Sequence, residues 1–150
     1  MLNEDMKTII KKANLAFAAT ENIDGSPNLS PKSTLRPWGQ NHLIFANLAS
    51  PGTVANVKRD PHIEINCIDF LSRRGYRFSG TATVHSPGDK IYQEFLEIME
   101  KELGKGTKVH DAVLIKLAEI KAVLSPAYEK EGVTEKGLVK TYRRKYGVND

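Results

Sequence analysis

The sequence has a single cysteine, Cys67, among 150 residues, and this scarcity excludes an internal disulfide. Long apolar runs are also missing, since a run such as residues 43–46 is far shorter than the roughly 18 residues that span a membrane. The first twelve residues lack the apolar core of a secretion signal. No Cys/His spacing typical of zinc occurs, so we expect no metal site. Together these absences predict a cytoplasmic protein that does not enter a membrane.

Motifs of the common catalytic classes are absent as well. The sequence has no G-x-S-x-G nucleophile elbow, no G-x-G-x-x-G turn after a strand and no P-loop. Its four histidines fall in separate predicted elements, and none is paired at ligand spacing. Aromatic residues make up only 7% of the chain and no RNA-stacking motif occurs, so nucleic acid is not an expected partner.

The charge that is present is unevenly distributed. Lysine and arginine number 22 against 18 acidic residues, which gives a net charge of +4. Residues 136–146 contain five basic side chains and no acid, and residues 73–77 contain three arginines. Each cluster is either solvated surface or a contact for an anionic partner, and a small phosphorylated ligand fits the second interpretation better than nucleic acid.

The length predicts a single domain over residues 1–150. Hydrophobic patterns predict six strands, at residues 14–20, 29–35, 42–48, 62–70, 76–84 and 112–124, the last with an irregularity near Glu119. Helices are predicted over residues 4–13, from a Ser50 cap to about Asp60, after residues 86–89, and over residues 134–146 with Thr134 as cap. Because most strands follow one another without an intervening helix, the pattern favours a mainly β fold, a closed antiparallel barrel with peripheral helices.

Three polar segments are candidates for a functional site. The first is residues 30–34, where hydroxyls and one lysine interrupt an apolar strand. The second is residues 47–56, where a strand runs into a helix start. There the backbone N–H groups of residues 52–54 can hold a phosphate that the helix dipole favours, although a plain helix cap has the same pattern. The third is the arginine cluster at residues 73–77.

In this order the segments resemble the pyridoxamine 5'-phosphate oxidase-like family of FMN-binding split barrels. The likeness spans about residues 14–84 and is most specific in the T-x-x-N-[VL]-x-x-[DN]-P run that begins at Thr53. The resemblance implies a six-stranded antiparallel split β-barrel and a homodimer with FMN at the subunit interface. The cofactor-binding residues that it implies are Pro31, Lys32, Ser33, Thr34, Asn47, Leu48, Ser50, Thr53 and Asn56.

The resemblance also implies a role for most of these residues. Residues 32–34 would lie along the isoalloxazine ring and the ribityl chain, and Asn47 and Ser50 would approach the same parts of the cofactor. Thr53 and Asn56 would bind near the phosphate. No catalytic acid or base is assigned, because the flavin supplies the redox chemistry.

The chain departs from true pyridoxamine phosphate oxidases at two places. It has residues Ser50-Pro51-Gly52 where those enzymes carry Ser-Arg-Lys, and it lacks their C-terminal signature rich in arginine and tryptophan. We therefore expect an FMN-dependent oxidoreductase that passes electrons from a reductant to a small-molecule acceptor, and we do not expect it to oxidise vitamin B6. The alternatives are a non-catalytic flavin carrier or electron-transfer protein, and a relative that binds a deazaflavin or haem. Trp38 either covers the flavin or packs at the dimer edge.

Overall fold

The computed structural model describes residues 1–149. Its helices are α1 (Glu4–Ala13), α2 (Pro51–Arg59), α3 (Lys90–Leu103) and α4 (Glu135–Tyr146), with a short 3-10 helix at Pro126–Glu129. Its strands are β1 (Ala16–Glu21), β2 (Pro27–Lys32), β3 (Arg36–Trp38), β4 (His42–Asn47), β5 (His62–Asp69), β6 (Arg74–His85) and β7 (Asp111–Leu124). Among residues 1–149, no helix is both long enough and apolar enough to cross a membrane.

All strands belong to one antiparallel sheet, in the order β2-β1-β5-β6-β7-β4-β3. The predicted mainly β, antiparallel split-barrel class is confirmed, but two details of the prediction are wrong. The sheet has seven strands instead of six, and β2 and β3 form its two ends, so it is not closed by strand pairing. The missed strand is the short β3, whose Pro37 has no N–H to donate and is tolerated because β3 lies at an edge.

The longest pairing in the sheet joins β6 and β7, and it contains an irregularity. Ser79 is opposite Glu119, whereas the next residue, Gly80, is opposite Leu117, so Ala118 is an extra residue on β7. This is a β-bulge, which bends the strand and increases its twist. The irregularity predicted near Glu119 is therefore confirmed, and it helps these two long strands to curve around the core.

The apolar interior has two parts. One lies inside the curved sheet, where Phe45 and Phe78 are fully buried and α1 contributes Ile9. The other lies between α3 and the opposite face of β4, and there Trp38 packs edge-on against Phe95 with ring centroids 6.0 Å apart. The tryptophan is thus held by its own chain. Cys67, which is inside the sheet, behaves as expected for an inert thiol, since burial raises its pKa to about 11.

The C-terminal helix α4 is attached to the rest of the chain through the turn between β5 and β6. The Arg73 guanidinium lies 3.9 Å from the centre of the Tyr142 ring and donates to the Tyr146 hydroxyl at 2.6 Å. Arg74 joins Asp5 of α1 at 2.8 Å and Glu135 of α4 at 3.1 Å. Two arginines of the 73–77 cluster therefore interact within the chain, which leaves them poorly placed to bind an anionic ligand.

Candidate functional site

A cavity of about 230 Å³ lies where the end of β2 faces the end of β4 and the start of α2; we call it the cradle. It is lined by Ser30, Pro31, Lys32, Ser33, Thr34, Ala46, Leu48, Ala49 and Ser50. The structure thus brings six of the nine predicted cofactor-binding residues together in one place. The three that do not line the cavity are Asn47, Thr53 and Asn56.

Lys32 is the dominant electrostatic feature of the cradle. Its side chain is only 4% exposed, its ammonium donates a hydrogen bond to the Ser50 hydroxyl, and it lies 5.2 Å from the centre of the Phe45 ring. No carboxylate of residues 1–149 forms an ion pair with it. Burial lowers the pKa of the Lys32 ammonium, because the charged form is poorly solvated there. A buried lysine without an acidic partner is rare in proteins and leaves the cradle electropositive.

The start of α2 lies next to the cradle, because its N-cap residue Ser50 lines the cavity. Ser50 occupies the N-cap position, as predicted, but its side chain makes no capping hydrogen bond. Its hydroxyl accepts from Lys32 instead. The first N–H groups of a helix have no partner within the helix, and the helix dipole makes this end partially positive. Lys32 and the first turn of α2 therefore create a site that favours an anion.

Two further predicted residues hold the walls of the cradle in position through hydrogen bonds. The Thr34 hydroxyl accepts a hydrogen bond from the backbone N–H of Ala46 at 2.9 Å. This bond fixes the connection between β2 and β3 against β4. Asn47 accepts from the backbone N–H of Ser50 at 2.8 Å and donates to Asp111 at 3.0 Å. Asn47 thus positions Ser50 while its own amide points away from the cavity.

Thr53 and Asn56 face the opposite side of α2. The Asn56 amide donates to the Thr20 hydroxyl at 3.0 Å and to the side-chain oxygen of Asn22 at 2.8 Å, while the Thr53 hydroxyl accepts from the Asn28 amide at 3.3 Å. Both side chains are buried and join α2 to the β1–β2 hairpin. The structure does not bring them to the cradle, and their contact with a phosphate stays a prediction.

Two further residues contribute to this site and were not predicted from the sequence. Phe45 supports the Lys32 ammonium from inside the core, and Asp111, at the start of β7, holds the Asn47 amide and also accepts from the Ser86 hydroxyl at 3.0 Å. Asp111 is 64 residues from Asn47 in the sequence. No local pattern marks either residue, since an apolar strand position and a single acid at a strand start are both common.

Comparison with known proteins places this arrangement in a family. Residues 2–123 match the family model of pyridoxamine 5'-phosphate oxidase. A search of curated proteins finds no match.

Solved structures with the same fold include HupZ of Group A Streptococcus, which is 28% identical, with 83% of this chain and 96% of that chain covered and a TM-score of 0.70. An FMN-binding protein from Syntrophomonas wolfei is 15% identical, with 81% and 90% covered and a TM-score of 0.62. An F420 reductase is 16% identical, with 80% and 98% covered and a TM-score of 0.62. At these last two identities the likeness concerns the fold alone.

Proposed function

The chain belongs to the pyridoxamine 5'-phosphate oxidase family, and from that premise we propose that its cradle binds FMN and that the protein is a flavin-dependent oxidoreductase. The observation that carries the proposal is the buried ammonium of Lys32, which has no acidic partner and lies against Ser50 at the start of α2. A phosphate bound there would supply the missing negative charge and offset the cost of burying the cation. The electrons would pass from a reductant to a small-molecule acceptor.

The residues of the cradle fit the phosphate end of the cofactor better than its ring. The family resemblance implied that Lys32 lies along the isoalloxazine ring and the ribityl chain, whereas the Lys32 ammonium contacts Ser50 at the start of α2, where anions are favoured. Lys32, the Ser50 hydroxyl and the backbone N–H groups of Gly52 and Thr53 would hold the phosphate, and Pro31, Ser33 and Leu48 would line the remainder. When bound, FMN supplies the redox chemistry, and the chain binds, orients and partly shields it.

Titration of the purified protein with FMN and with riboflavin tests this proposal. Riboflavin lacks the phosphate, so we expect it to bind at least about ten-fold more weakly, the effect of one hydrogen bond to a charged group. The absorption spectrum of the protein as purified separates FMN from the two alternatives, a deazaflavin and haem. Equal affinity for FMN and riboflavin would contradict a phosphate site in the cradle. Turnover with a reduced nicotinamide then distinguishes an enzyme from a flavin carrier.

The cofactor site also supports a homodimer as part of the proposal. The cradle's volume of about 230 Å³ is smaller than the roughly 300–1,000 Å³ typical of ligand pockets, so one chain does not enclose the cofactor. Next to it, the outer face of the β1–β2 hairpin exposes three large apolar side chains, Leu15, Phe17 and Leu29. Phe17 is paired in register with Pro31, which lines the cradle. Exposed apolar patches of this kind mark interaction surfaces, and a second copy of the chain would cover both the patch and the cofactor.

Replacing Phe17 by Glu is expected to convert the dimer to a monomer and to weaken FMN binding at least about ten-fold, because a buried charge without a partner costs several kcal/mol at an interface. Light scattering measures the mass, and flavin fluorescence measures the affinity. The matched control is Leu103→Glu, since Leu103 is 49% exposed at the end of α3, away from the hairpin. A wild-type protein that is monomeric with FMN bound would rule out the dimer.

A further inference from the structure

A second cavity, of about 400 Å³, opens directly beside the cradle, and Ser33 lines both of them. Its walls come from α1, from the connection between β2 and β3, from β3 itself and from the end of α3. The polar residues among those that line it are Lys7, Lys11, Asn14, Ser33, Arg36 and Glu102. Its volume is within the roughly 300–1,000 Å³ of ligand sites, so it can hold a small molecule next to whatever the cradle binds.

One pair of oppositely charged side chains in the cavity wall already forms an ion pair within the chain. The Arg36 guanidinium binds the Glu102 carboxylate through two hydrogen bonds, at 2.5 and 2.8 Å, and its Nε donates to the Thr34 carbonyl at 3.2 Å. This two-pronged geometry is the strongest form of arginine–carboxylate contact. Arg36 and Glu102 therefore cancel each other and form a rigid polar wall.

The two lysines are different, because little compensates for their charge. Lys7 is 3.4 Å from Glu4, whose side chain is 91% exposed, and such surface pairs contribute little. Lys11 forms no ion pair with any of residues 1–149. The two are four residues apart, so they lie on the same face of α1, and both line the cavity.

We propose that this cavity binds a small anionic molecule, carrying one or two carboxylates, through Lys7 and Lys11. The Asn14 amide and the Ser33 hydroxyl supply neutral hydrogen-bonding groups beside the two cations. Ser33 lines both cavities, so the anion would lie beside the bound cofactor, and this adjacency rests on the proposed function. The ligand class is therefore a small organic acid that binds as its carboxylate.

Lys11 could also have a purely structural role, since a lysine in the last turn of a helix stabilises the helix by interacting with its dipole. The experiment has to separate this role from ligand binding. Lys12 provides the matched control, because it lies in the same turn of α1 but does not line the cavity. The reporter is Trp38, the only tryptophan in the chain, which directly follows Pro37 in the cavity wall. Its fluorescence follows binding without requiring a flavin.

The experiment titrates the protein, with and without FMN, with succinate and with its neutral analogue succinamide. Succinate is expected to change the Trp38 fluorescence saturably, and succinamide is not. Lys7→Gln and Lys11→Gln are each expected to raise the dissociation constant of succinate about ten-fold, whereas Lys12→Gln leaves it unchanged. FMN affinity should stay the same in all three variants. Equal binding of the two compounds, or an equal loss in Lys12→Gln, would overturn the anion site.

The two proposals fail in different ways. If FMN does not bind, the proposed function fails, and the fluorescence titration still decides whether the cavity takes anions. If FMN binds and succinate binds without changing either the flavin absorbance or the affinity for FMN, the anion does not lie beside the cofactor. Loss of both effects in Lys11→Gln but not in Lys12→Gln supports the assignment.

Discussion

Replacing Lys32 by Met is expected to weaken FMN binding about ten- to a hundred-fold, which is the effect of losing a hydrogen bond between charged groups. Methionine keeps most of the side-chain volume and the apolar stem, so the cradle should retain its shape. Riboflavin affinity should change much less, because riboflavin has no phosphate. Flavin fluorescence titrations measure both constants. Equal losses for the two ligands, or a lowered flavin midpoint potential with unchanged FMN affinity, would instead place Lys32 beside the ring.

The same substitution is expected to stabilise the cofactor-free protein, by about 1–2 kcal/mol, because it removes a buried cation that has no carboxylate partner. Urea unfolding measures this difference. Lys58→Met is the control, since Lys58 is an exposed lysine of α2 and its loss should alter neither property. A cofactor-free Lys32→Met protein less stable than the wild type would mean that the ammonium is well compensated within the chain.

The pH dependence of this effect has a definite sign. Burial lowers the pKa of Lys32 below its ordinary value of 10.5. Between the lowered pKa and 10.5 the unfolded chain binds more protons than the folded chain, so this group's contribution to stability rises with pH. The stability advantage of Lys32→Met in the cofactor-free protein should therefore shrink as the pH rises through this window. Over the same window, wild-type FMN affinity should fall as the ammonium loses its proton.

Replacing Gly75 by Ala is expected to destabilise the protein by about 3 kcal/mol or more, a larger effect than an ordinary overpacked core substitution. A Cβ atom at Gly75 would lie 2.0 Å from the Cys67 carbonyl oxygen and 2.8 Å from the Ile68 Cα. Both atoms belong to the backbone of β5, which pairs with β6 along its whole length, so neither moves without breaking the pairing. Urea unfolding of the cofactor-free protein measures the loss.

Gly52→Ala is the matched control for that measurement. A Cβ atom there meets nothing within 4 Å, and Gly52 lies in the first turn of α2. Alanine is favoured over glycine in helices by about 0.8–1.0 kcal/mol, so this variant should be slightly more stable than the wild type. A Gly75→Ala protein within about 1 kcal/mol of the wild type would show that the two strands can separate at little cost.

Features that depend on neighbouring residues could be predicted from local patterns in the sequence. Apolar alternation predicted the antiparallel strands, and Thr134 marked the start of α4, where its hydroxyl accepts from the Gly137 N–H at 3.1 Å. The polar run at residues 30–34 and the strand-to-helix junction at Ser50 identified the cradle and the family resemblance. These signals are local because capping and strand alternation act over two to four residues.

Which polar side chains meet depends on long-range packing, and local patterns do not predict it. Lys32 and Ser50 are 18 residues apart, yet they are in contact, whereas Thr53 and Asn56 follow Ser50 closely and face the hairpin. A helix turns about 100° per residue, so residues in one motif point in different directions, and the packing of α2 decides which of them reach the cavity. The same holds for Arg73 and Arg74, whose charge suggested a ligand but which join α4 and α1 to the sheet, because attachment of a helix is a long-range contact that no local pattern encodes.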